Sequence, residues 1–448
     1  MVPTPLYDAL RVLAAQTPLR MHMPGHKGTP LPLPELAGYA ALDFTELSPT
    51  GDLFAGDGPI REAEELWASC FHMPHCLFLT GGSTQGVLAA LTLACPVGST
   101  ILLDRNSHRS AYHAMALLGL HPVYLYRPYW EDLPGPITPD QVDRMLQDHP
   151  EIKTVFLTSP TYYGIQSDLP ALAQVIHRRG GYLVVDAAHG AHLPFLGSMD
   201  HTAADLVVFS AHKTLPAPGQ SALLCAGGAF SHRQLRRAAA IYGSSSPSYP
   251  MMAALDCCRD WLEQEGHIAY HKTAYQVAQL RQDFPALTGD ALDPCRLVIL
   301  GDGFALRDGL EAQNVFPELA DRGHVVLICT CADRQAQFDR LRRALYAILP
   351  QTGSHSQPLG PPPEPELVLS PRQAQFSPTE ACVLSRAAGR ISACQIAPYP
   401  PGIPVIAPGE RITKKTIAYL SQIGYNMETE IQTVSFSVYR QSRFSEEG

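Results

Sequence analysis

Short apolar runs alternate with longer amphipathic stretches through the middle of the chain. The runs are rich in β-branched and aromatic residues, which is typical of buried strands. Seven such candidate strands are Cys76–Thr80, Thr100–Leu103, Pro122–Tyr126, Thr154–Thr158, Tyr182–Asp186, Leu206–Ser210 and Ser221–Cys225. Helical patterns lie between most of them, over Thr84–Ala94, Arg109–Leu118, Pro139–Gln147 and Leu169–Arg179. The alternation predicts an α/β fold with a mostly parallel sheet covered on both faces.

The last two candidate strands depart from this pattern. The segment between Leu206–Ser210 and Ser221–Cys225 is too short for a helical crossover, so we predict that these two strands pair antiparallel. Pro216, Pro218 and Gly219 within it argue against any immediate regular element. The predicted sheet is therefore mixed, mostly parallel and seven-stranded.

The segments on either side of this region predict the domain organisation. The first residues form an irregular arm that begins with a short amphipathic helix, in which Leu6, Leu10 and Leu13 share a face. Helix and strand patterns after the large domain indicate a smaller α/β domain, followed by a Pro-rich linker. The predicted units are the arm 1–59, the large domain 60–266, the small domain 267–353, the linker 354–369 and a C-terminal domain 370–448.

Composition narrows the class of protein. The chain has 448 residues, 46% of them hydrophobic and 17% charged, which fits a globular enzyme of two or three domains. A net charge of −9 gives no support for a nucleic-acid or anionic-membrane partner. No apolar run is long enough to span a bilayer, and the first residues lack the features of a signal peptide.

The cysteines and histidines were considered as metal ligands. Eleven scattered cysteines without a CxxC pair indicate reduced thiols and a cytoplasmic location. The spacing of His189 and His192 occurs in metal sites, but no carboxylate stands at a third ligand position. We therefore predict no metal.

Polar side chains follow the candidate strands, where ligands bind in sheets of this kind. Gly81–Thr84 leads into a helix and could bind an anion, although a plain turn with an N-cap explains it as well. His108 follows the second strand, and Asp186 ends the fifth, where a buried carboxylate needs a cation. Ser210 and Lys213 follow the sixth. Each of these has an ordinary structural explanation when it is taken alone.

Taken together, these residues indicate one cofactor. Lysine forms a Schiff base with an aldehyde when its surroundings tune its pKa, whereas a lone lysine in a loop is usually a surface charge. A phosphate-type turn, a flat ring, a buried acid and a lysine at one sheet edge match the parts of pyridoxal 5′-phosphate (PLP). We therefore expect Lys213 to bind PLP. A later hydroxyl-rich loop, with Ser246 and Tyr249, could contact phosphate or substrate, unless it is a linker.

The sequence resembles the ornithine/lysine/arginine decarboxylases, which have the aspartate aminotransferase fold (PLP fold type I). The resemblance covers about 21–256 and 385–425, and the short length is similar to the form that lacks an N-terminal receiver-like (wing) domain. It is carried by eight blocks in family order: MHMPGHKG, LTGGSTQG, DRNSHRSAYHA, SPTYYGIQSDL, VDAAHGAHLPF, SAHKTLPAPGQSALL, SSSPSYPMMAALD and ISACQIAPYPPGIPVIAPGERI.

The resemblance implies a role for each candidate residue. Lys213 would hold the cofactor, Asp186 would pair with its ring nitrogen, and His108 would stack on the ring. His212 would lie beside Lys213 as a third catalytic residue, after Lys213 and His108. The phosphate ligands would be Ser83, Thr84 and Ser210.

The resemblance also implies a reaction and an assembly. The protein would decarboxylate arginine, lysine or ornithine to a polyamine-pathway amine and CO₂, as a homodimer or larger homo-oligomer with shared active sites. Glu410 would receive the distal cation of the substrate, with Ser246 and Tyr249 nearby. A surface-turn role for Glu410 remains the alternative.

Two departures from the family pattern leave the substrate open. The family sequence Asp-Glu-Ala-His has Ala187 in place of its glutamate, and the usual Leu-Thr is Pro218-Gly219. The first removes an acid beside the cofactor, and the second removes a hydroxyl near the phosphate. The alternatives to decarboxylation are another PLP reaction, such as transamination or side-chain cleavage, and a non-catalytic relative with a binding or regulatory role.

Overall fold

The largest sheet of the protein has seven strands. The structure, a computed structural model, describes residues 3–30, 33–130, 133–349, 359–398 and 402–435. The strands of the sheet are β1 (His75–Leu79), β2 (Thr100–Asp104), β3 (His121–Leu125), β4 (Thr154–Thr158), β5 (Tyr182–Asp186), β6 (Leu206–Phe209) and β7 (Ala222–Ala226). Each lies within one residue of the predicted strand at either end.

The strand order is β1-β7-β6-β5-β4-β2-β3. Strand β7 is antiparallel to both of its neighbours, β1 and β6, and all other pairs are parallel. The predicted mixed, mostly parallel sheet and the predicted antiparallel pair are therefore confirmed. The position of β1 at the edge beside β7 has no signal in the sequence, because it depends on a contact between distant segments.

Helices surround the sheet and extend beyond it. The four predicted between strands are confirmed to within two residues. The helices in the described ranges are Pro5–Ala15, Ala37–Leu42, Gly58–Cys70, Gly82–Ala94, Arg109–Leu118, Pro139–Asp148, Leu169–Arg178, Ala211–Thr214, His232–Tyr242, Tyr249–Trp261, His267–Asp283, Gly303–Ala312, Gln335–Ile348, Pro371–Phe376 and Lys414–Gln422. None of them is long and apolar enough to cross a membrane.

One helical turn was not predicted. Ala211–Thr214 is helical although the segment after β6 was predicted to be irregular. The breakers Pro216 and Pro218 act only after this turn, because proline excludes helix mainly at its own position and the one before it. The turn places Lys213 in a defined position directly after the strand.

The main sheet is buried on both faces. Along β6, Val207 and Phe209 belong to one apolar core, and Leu206 and Val208 belong to the other. This alternation is expected because successive side chains of a strand point to opposite faces. Helices cover both cores, so polar side chains can meet only at the sheet edges.

The remainder of the described chain has two smaller sheets. Strands β8 (Arg296–Leu300), β9 (Leu319–Ala320) and β10 (His324–Ile328) form an antiparallel sheet in the order β8-β10-β9. Strands β11 (Thr379–Val383) and β12 (Glu430–Val434) form an antiparallel pair. The predicted domain limits stay predictions. Parts of the predicted linker (354–358), of the Pro/Gly break (399–401) and of the C-terminal domain (436–448) lie outside the described residues.

Candidate active site

The candidate residues follow strands that end at the same edge of the main sheet. Strands β2, β5 and β6 run parallel, and β1 has the same direction because it is antiparallel to β7, which is antiparallel to β6. Their carboxyl ends lead into the helix start at Gly82, the loop with His108, the carboxylate of Asp186 and the turn with Lys213. The predicted clustering of polar groups at one edge is therefore found.

Lys213 lies in a mostly desolvated environment. Its Nζ is 2.9 Å from His189 Nε2 and 6.0 Å from the ring centroid of Tyr162. Burial lowers the pKa of the lysine, and Arg296 adds to this effect, while the charges of Asp186 and Glu318 oppose it. A lowered pKa increases the fraction of unprotonated amine, which is the nucleophilic form.

Asp186 is the acid of this edge. Its side chain is buried, and Oδ1 accepts a hydrogen bond from the Ala188 N–H at 3.1 Å. Burial raises the pKa of Asp186, whereas the charge of Lys213 and the bond from Ala188 lower it. No hydrogen bond from the described residues reaches Oδ2, so the carboxylate can accept one from a ligand.

His108 presents a neutral aromatic ring. It is the N-cap of the helix Arg109–Leu118, and its Nδ1 accepts from the Ser110 N–H at 3.3 Å. Burial lowers the pKa of His108 to about 4, with a further contribution from the charge of Lys213. The ring is therefore uncharged at neutral pH and offers a flat surface for stacking.

The start of the helix Gly82–Ala94 is suited to an anion. Gly82 has a φ of +71°, a conformation that side-chain-bearing residues rarely adopt, and it turns the chain from β1 into the helix. No side chain caps this helix, and Ser83 and Thr84 lie in its first turn. Free N–H groups and hydroxyls at a helix N-terminus favour a phosphate. Ser210, the third predicted phosphate ligand, is fully buried after β6.

The histidine that contacts Lys213 is not the one predicted. His212 Nδ1 donates to the carbonyl oxygen of Ser221 at 3.0 Å, so this ring nitrogen is engaged away from the lysine amine. His189 contacts Lys213 instead. Its only sequence signal is its place three residues after Asp186, which we considered only for metal binding. The catalytic role predicted for His212 stays a prediction.

Arg296 is a second residue that the sequence analysis missed. Its side chain is buried at the start of β8, and Nη2 lies 3.5 Å from His189 Nδ1. Its Nε and Nη1 have no hydrogen-bond partner among the described residues. Arg296 follows Lys213 by a long stretch of chain, so only the tertiary structure brings them together.

His189 and His192 do not face a common point. His192 Nε2 lies 2.9 Å from Asp293 Oδ1, while His189 faces Lys213. His192, Asp293 and Cys295 could together offer ligand atoms, but Arg296 Nε lies 3.8 Å from the same Asp293 carboxylate. A guanidinium beside the carboxylate disfavours a metal cation there.

Glu410 is engaged by an arginine of the same chain. Its side chain is buried, Oε2 lies 3.2 Å from Arg105 Nη2, and the Ala407 N–H donates to Oε2 at 2.7 Å. Oε1 has no hydrogen-bond partner among the described residues. The predicted role of Glu410 in holding the substrate stays a prediction, and its carboxylate is already partly neutralised.

The two residues predicted in the hydroxyl-rich loop lie in different surroundings. Ser246 is exposed, and its N–H donates to Ser244 Oγ at 3.1 Å. Tyr249 is fully buried, and its hydroxyl donates to the carbonyl oxygen of Gly51 at 2.5 Å. Tyr249 therefore ties its helix to the N-terminal arm. Their predicted contact with substrate stays a prediction.

The set of groups at this edge fits PLP. An amine of lowered pKa suits an aldehyde, a carboxylate with an open oxygen suits a ring nitrogen, and a neutral imidazole suits a pyridine face. The uncapped helix start with its two hydroxyl residues suits the phosphate. The strand order and this edge together define the aspartate aminotransferase fold class.

The chain belongs to the Orn/Lys/Arg decarboxylase family. The family model for the major domain of Orn/Lys/Arg decarboxylases matches residues 4–302, and the model for the C-terminal domain matches residues 362–429. The resemblance inferred from the eight sequence blocks is thus confirmed, and with it the fold class and the reaction class of the family.

Relatives of similar length include two proteins of Bacillus subtilis (strain 168). Uncharacterized protein YaaO is 34% identical, with 96% of each chain covered, and an arginine decarboxylase is 31% identical, with 93% of each covered. Among solved structures, the Francisella novicida lysine decarboxylase LdcF superposes with a TM-score of 0.85 at 19% identity, covering 97% of this chain and 81% of that one. This last likeness shows the fold.

Proposed function

We propose that this protein is a PLP-dependent decarboxylase that converts a basic amino acid to the corresponding amine and CO₂. The observation that supports the proposal most is the environment of Lys213, a desolvated amine that shares the sheet edge with the carboxylate of Asp186. Membership of the Orn/Lys/Arg decarboxylase family adds the reaction class.

Three residues would hold the cofactor ring. Lys213 binds the aldehyde carbon through its amine, Asp186 keeps a proton on the ring nitrogen, and His108 lies against the ring face. When bound, PLP supplies a sink for the electron pair that remains as CO₂ leaves. The neutral state of His108 suits this arrangement, because a second cation beside the protonated ring would oppose it.

The phosphate and the substrate would use the neighbouring groups. Ser83, Thr84 and Ser210 are the proposed phosphate ligands, supported by the uncapped helix start. Glu410 is the proposed receptor for the distal cation of the substrate. Lys213 or a nearby histidine returns a proton to the carbon that has lost CO₂.

Arginine is the first substrate to test, with lysine and ornithine beside it. This order is supported by the arginine decarboxylase of Bacillus subtilis, which matches this chain over nearly its whole length. We further propose a homodimer in the cytoplasm that supplies amines for polyamine synthesis. Sedimentation of the full-length protein tests the assembly, and a monomer would contradict it.

The test is a substrate panel on the purified full-length chain supplied with PLP. Release of CO₂ together with agmatine, cadaverine or putrescine is the expected result. A keto acid without CO₂ would instead indicate a transaminase, and no cofactor absorption would indicate a non-catalytic relative. The variant K213A should lose both the covalently bound cofactor and activity, whereas K272A, which removes an exposed lysine, should keep both.

A further inference from the structure

Three side chains form a contact series at the active-site edge. Arg296 Nη2 is 3.5 Å from His189 Nδ1, and His189 Nε2 is 2.9 Å from Lys213 Nζ. Tyr162 packs against the histidine ring, with the ring centroids 4.5 Å apart. His189 thus touches the atom that would react, and it is fixed on two sides.

The series determines where the histidine carries its hydrogen. A guanidinium has only donors, so Nδ1 of His189 must accept from Arg296. Burial, Lys213 and Arg296 all lower the pKa of His189, so the ring is neutral and carries a single hydrogen. That hydrogen is therefore on Nε2, the nitrogen that faces Lys213.

This tautomer has a consequence for the lysine. An ammonium group has three donors and no acceptor, so it cannot receive a hydrogen bond from Nε2–H, whereas an unprotonated amine can. The contact at 2.9 Å therefore favours the amine. The other titratable or charged groups that face Lys213 or His189 are Asp186, Glu318, Arg296, His108 and His192.

We propose that His189 is a further catalytic residue, which holds Lys213 in its amine form through Nε2–H, and that Arg296 is a positioning residue that fixes the tautomer of His189. The proposal rests on the proposed function for its meaning in catalysis. The amine form is the nucleophile that attacks an aldehyde.

The same contact explains how a proton reaches the product. When the substrate amine displaces the lysine, an N–H bond of the substrate ammonium breaks and a new N–H bond forms at Lys213 Nζ. The facing Nε2–H of His189 destabilises this ammonium and makes it a stronger acid. The proton then forms the C–H bond at the carbon whose bond to CO₂ has broken.

The first test measures the lysine rather than the reaction. The full-length chain, freed of cofactor, is labelled with acetic anhydride at several pH values, and mass spectrometry follows acetylation of Lys213 with exposed Lys272 as the internal reference. H189F keeps the ring against Tyr162 but removes the donor. We expect it to raise the apparent pKa of Lys213 by about one unit, which leaves about tenfold less amine at a given pH. An unchanged titration in H189F would overturn the proposal.

A double-mutant cycle separates the tautomer from the charge of Arg296. A glutamine at position 189 offers an amide N–H without a tautomer choice, so H189Q should keep most of the lysine reactivity. R296M should lower that reactivity about fivefold or more in the wild-type chain and less than about twofold in H189Q, while R296K should restore it. An equal effect of R296M in both backgrounds would show that Arg296 acts by charge alone, and this would overturn the positioning role.

Controls keep folding and function apart from this inference. R281M removes a neighbouring buried guanidinium that donates to the carbonyl oxygens of Asp293 and Arg296, and it should leave the labelling of Lys213 unchanged. Thermal unfolding of every variant reports its stability. With substrate, H189F should lower kcat more than it changes KM. Because labelling needs no cofactor, a wild-type chain that releases no CO₂ would contradict the proposed function alone.

Discussion

Arg105 and Glu410 form a buried ion pair that joins the loop after β2 to a segment 305 positions further along the chain. The guanidinium also donates to the carbonyl oxygens of Pro404 and Val405, at 2.7 and 3.0 Å. The loop that carries His108 is therefore held by the C-terminal part of the protein. Removal of one partner from a buried pair leaves an uncompensated charge, which costs about 3–5 kcal/mol.

This pair gives a test of the role proposed for Glu410. E410Q and R105M should each lower the free energy of unfolding by about 3 kcal/mol, measured by urea denaturation. Only E410Q should also raise KM for the basic amino acid, by about tenfold, because only it removes the negative charge that would meet the substrate. An equal rise in KM in both variants would mean that Glu410 acts by holding the loop.

The pKa of His108 predicts a dependence of stability on pH. The pKa falls from 6.5 to about 4 on folding, so between these values the unfolded chain binds more protons and stability falls as the pH falls. H108F, which keeps a flat ring, should remove this loss, worth at most about 3 kcal/mol by pH 4. Urea denaturation of the two proteins at pH 4 and pH 7 measures it. The same loss in H108F would assign it to other groups.

Asp186 predicts a separation of cofactor binding from catalysis. D186N keeps an acceptor oxygen but loses the charge that would keep a proton on the ring nitrogen, so kcat should fall by about 100-fold or more. Lys213 should still bind the cofactor, which absorption spectroscopy detects, and D186E should recover part of the rate. A kcat within about threefold of the wild type would contradict the role of Asp186.

Gly219 predicts a gain of cofactor affinity. This glycine is exposed, its φ is not positive, and a Cβ there would meet no atom within 4 Å, so a larger residue fits without strain. G219T restores the hydroxyl of the family pattern and should tighten PLP binding by about tenfold if that hydroxyl reaches the phosphate. G219A is the matched control, which adds the Cβ alone. Equal affinities of G219T and G219A would exclude the hydroxyl contact.

The amino-acid sequence determined the strands, most helices, the mixed sheet and the family. It could do so because strand and helix formation depend on local periodicity and on turn residues, which are legible along the chain. The convergence of Asp186 and Lys213 followed from one rule, that parallel strands end at one edge.

The tertiary structure alone decided which side chains touch. His189, rather than His212, faces the lysine, Arg296 contacts that histidine from another sheet, and Arg105 neutralises part of Glu410. These contacts depend on side-chain directions and on pairs of residues far apart in the chain, for which neither periodicity nor spacing carries a signal. Burial, which shifts the pKa of Lys213, likewise exists only once the surrounding elements have packed.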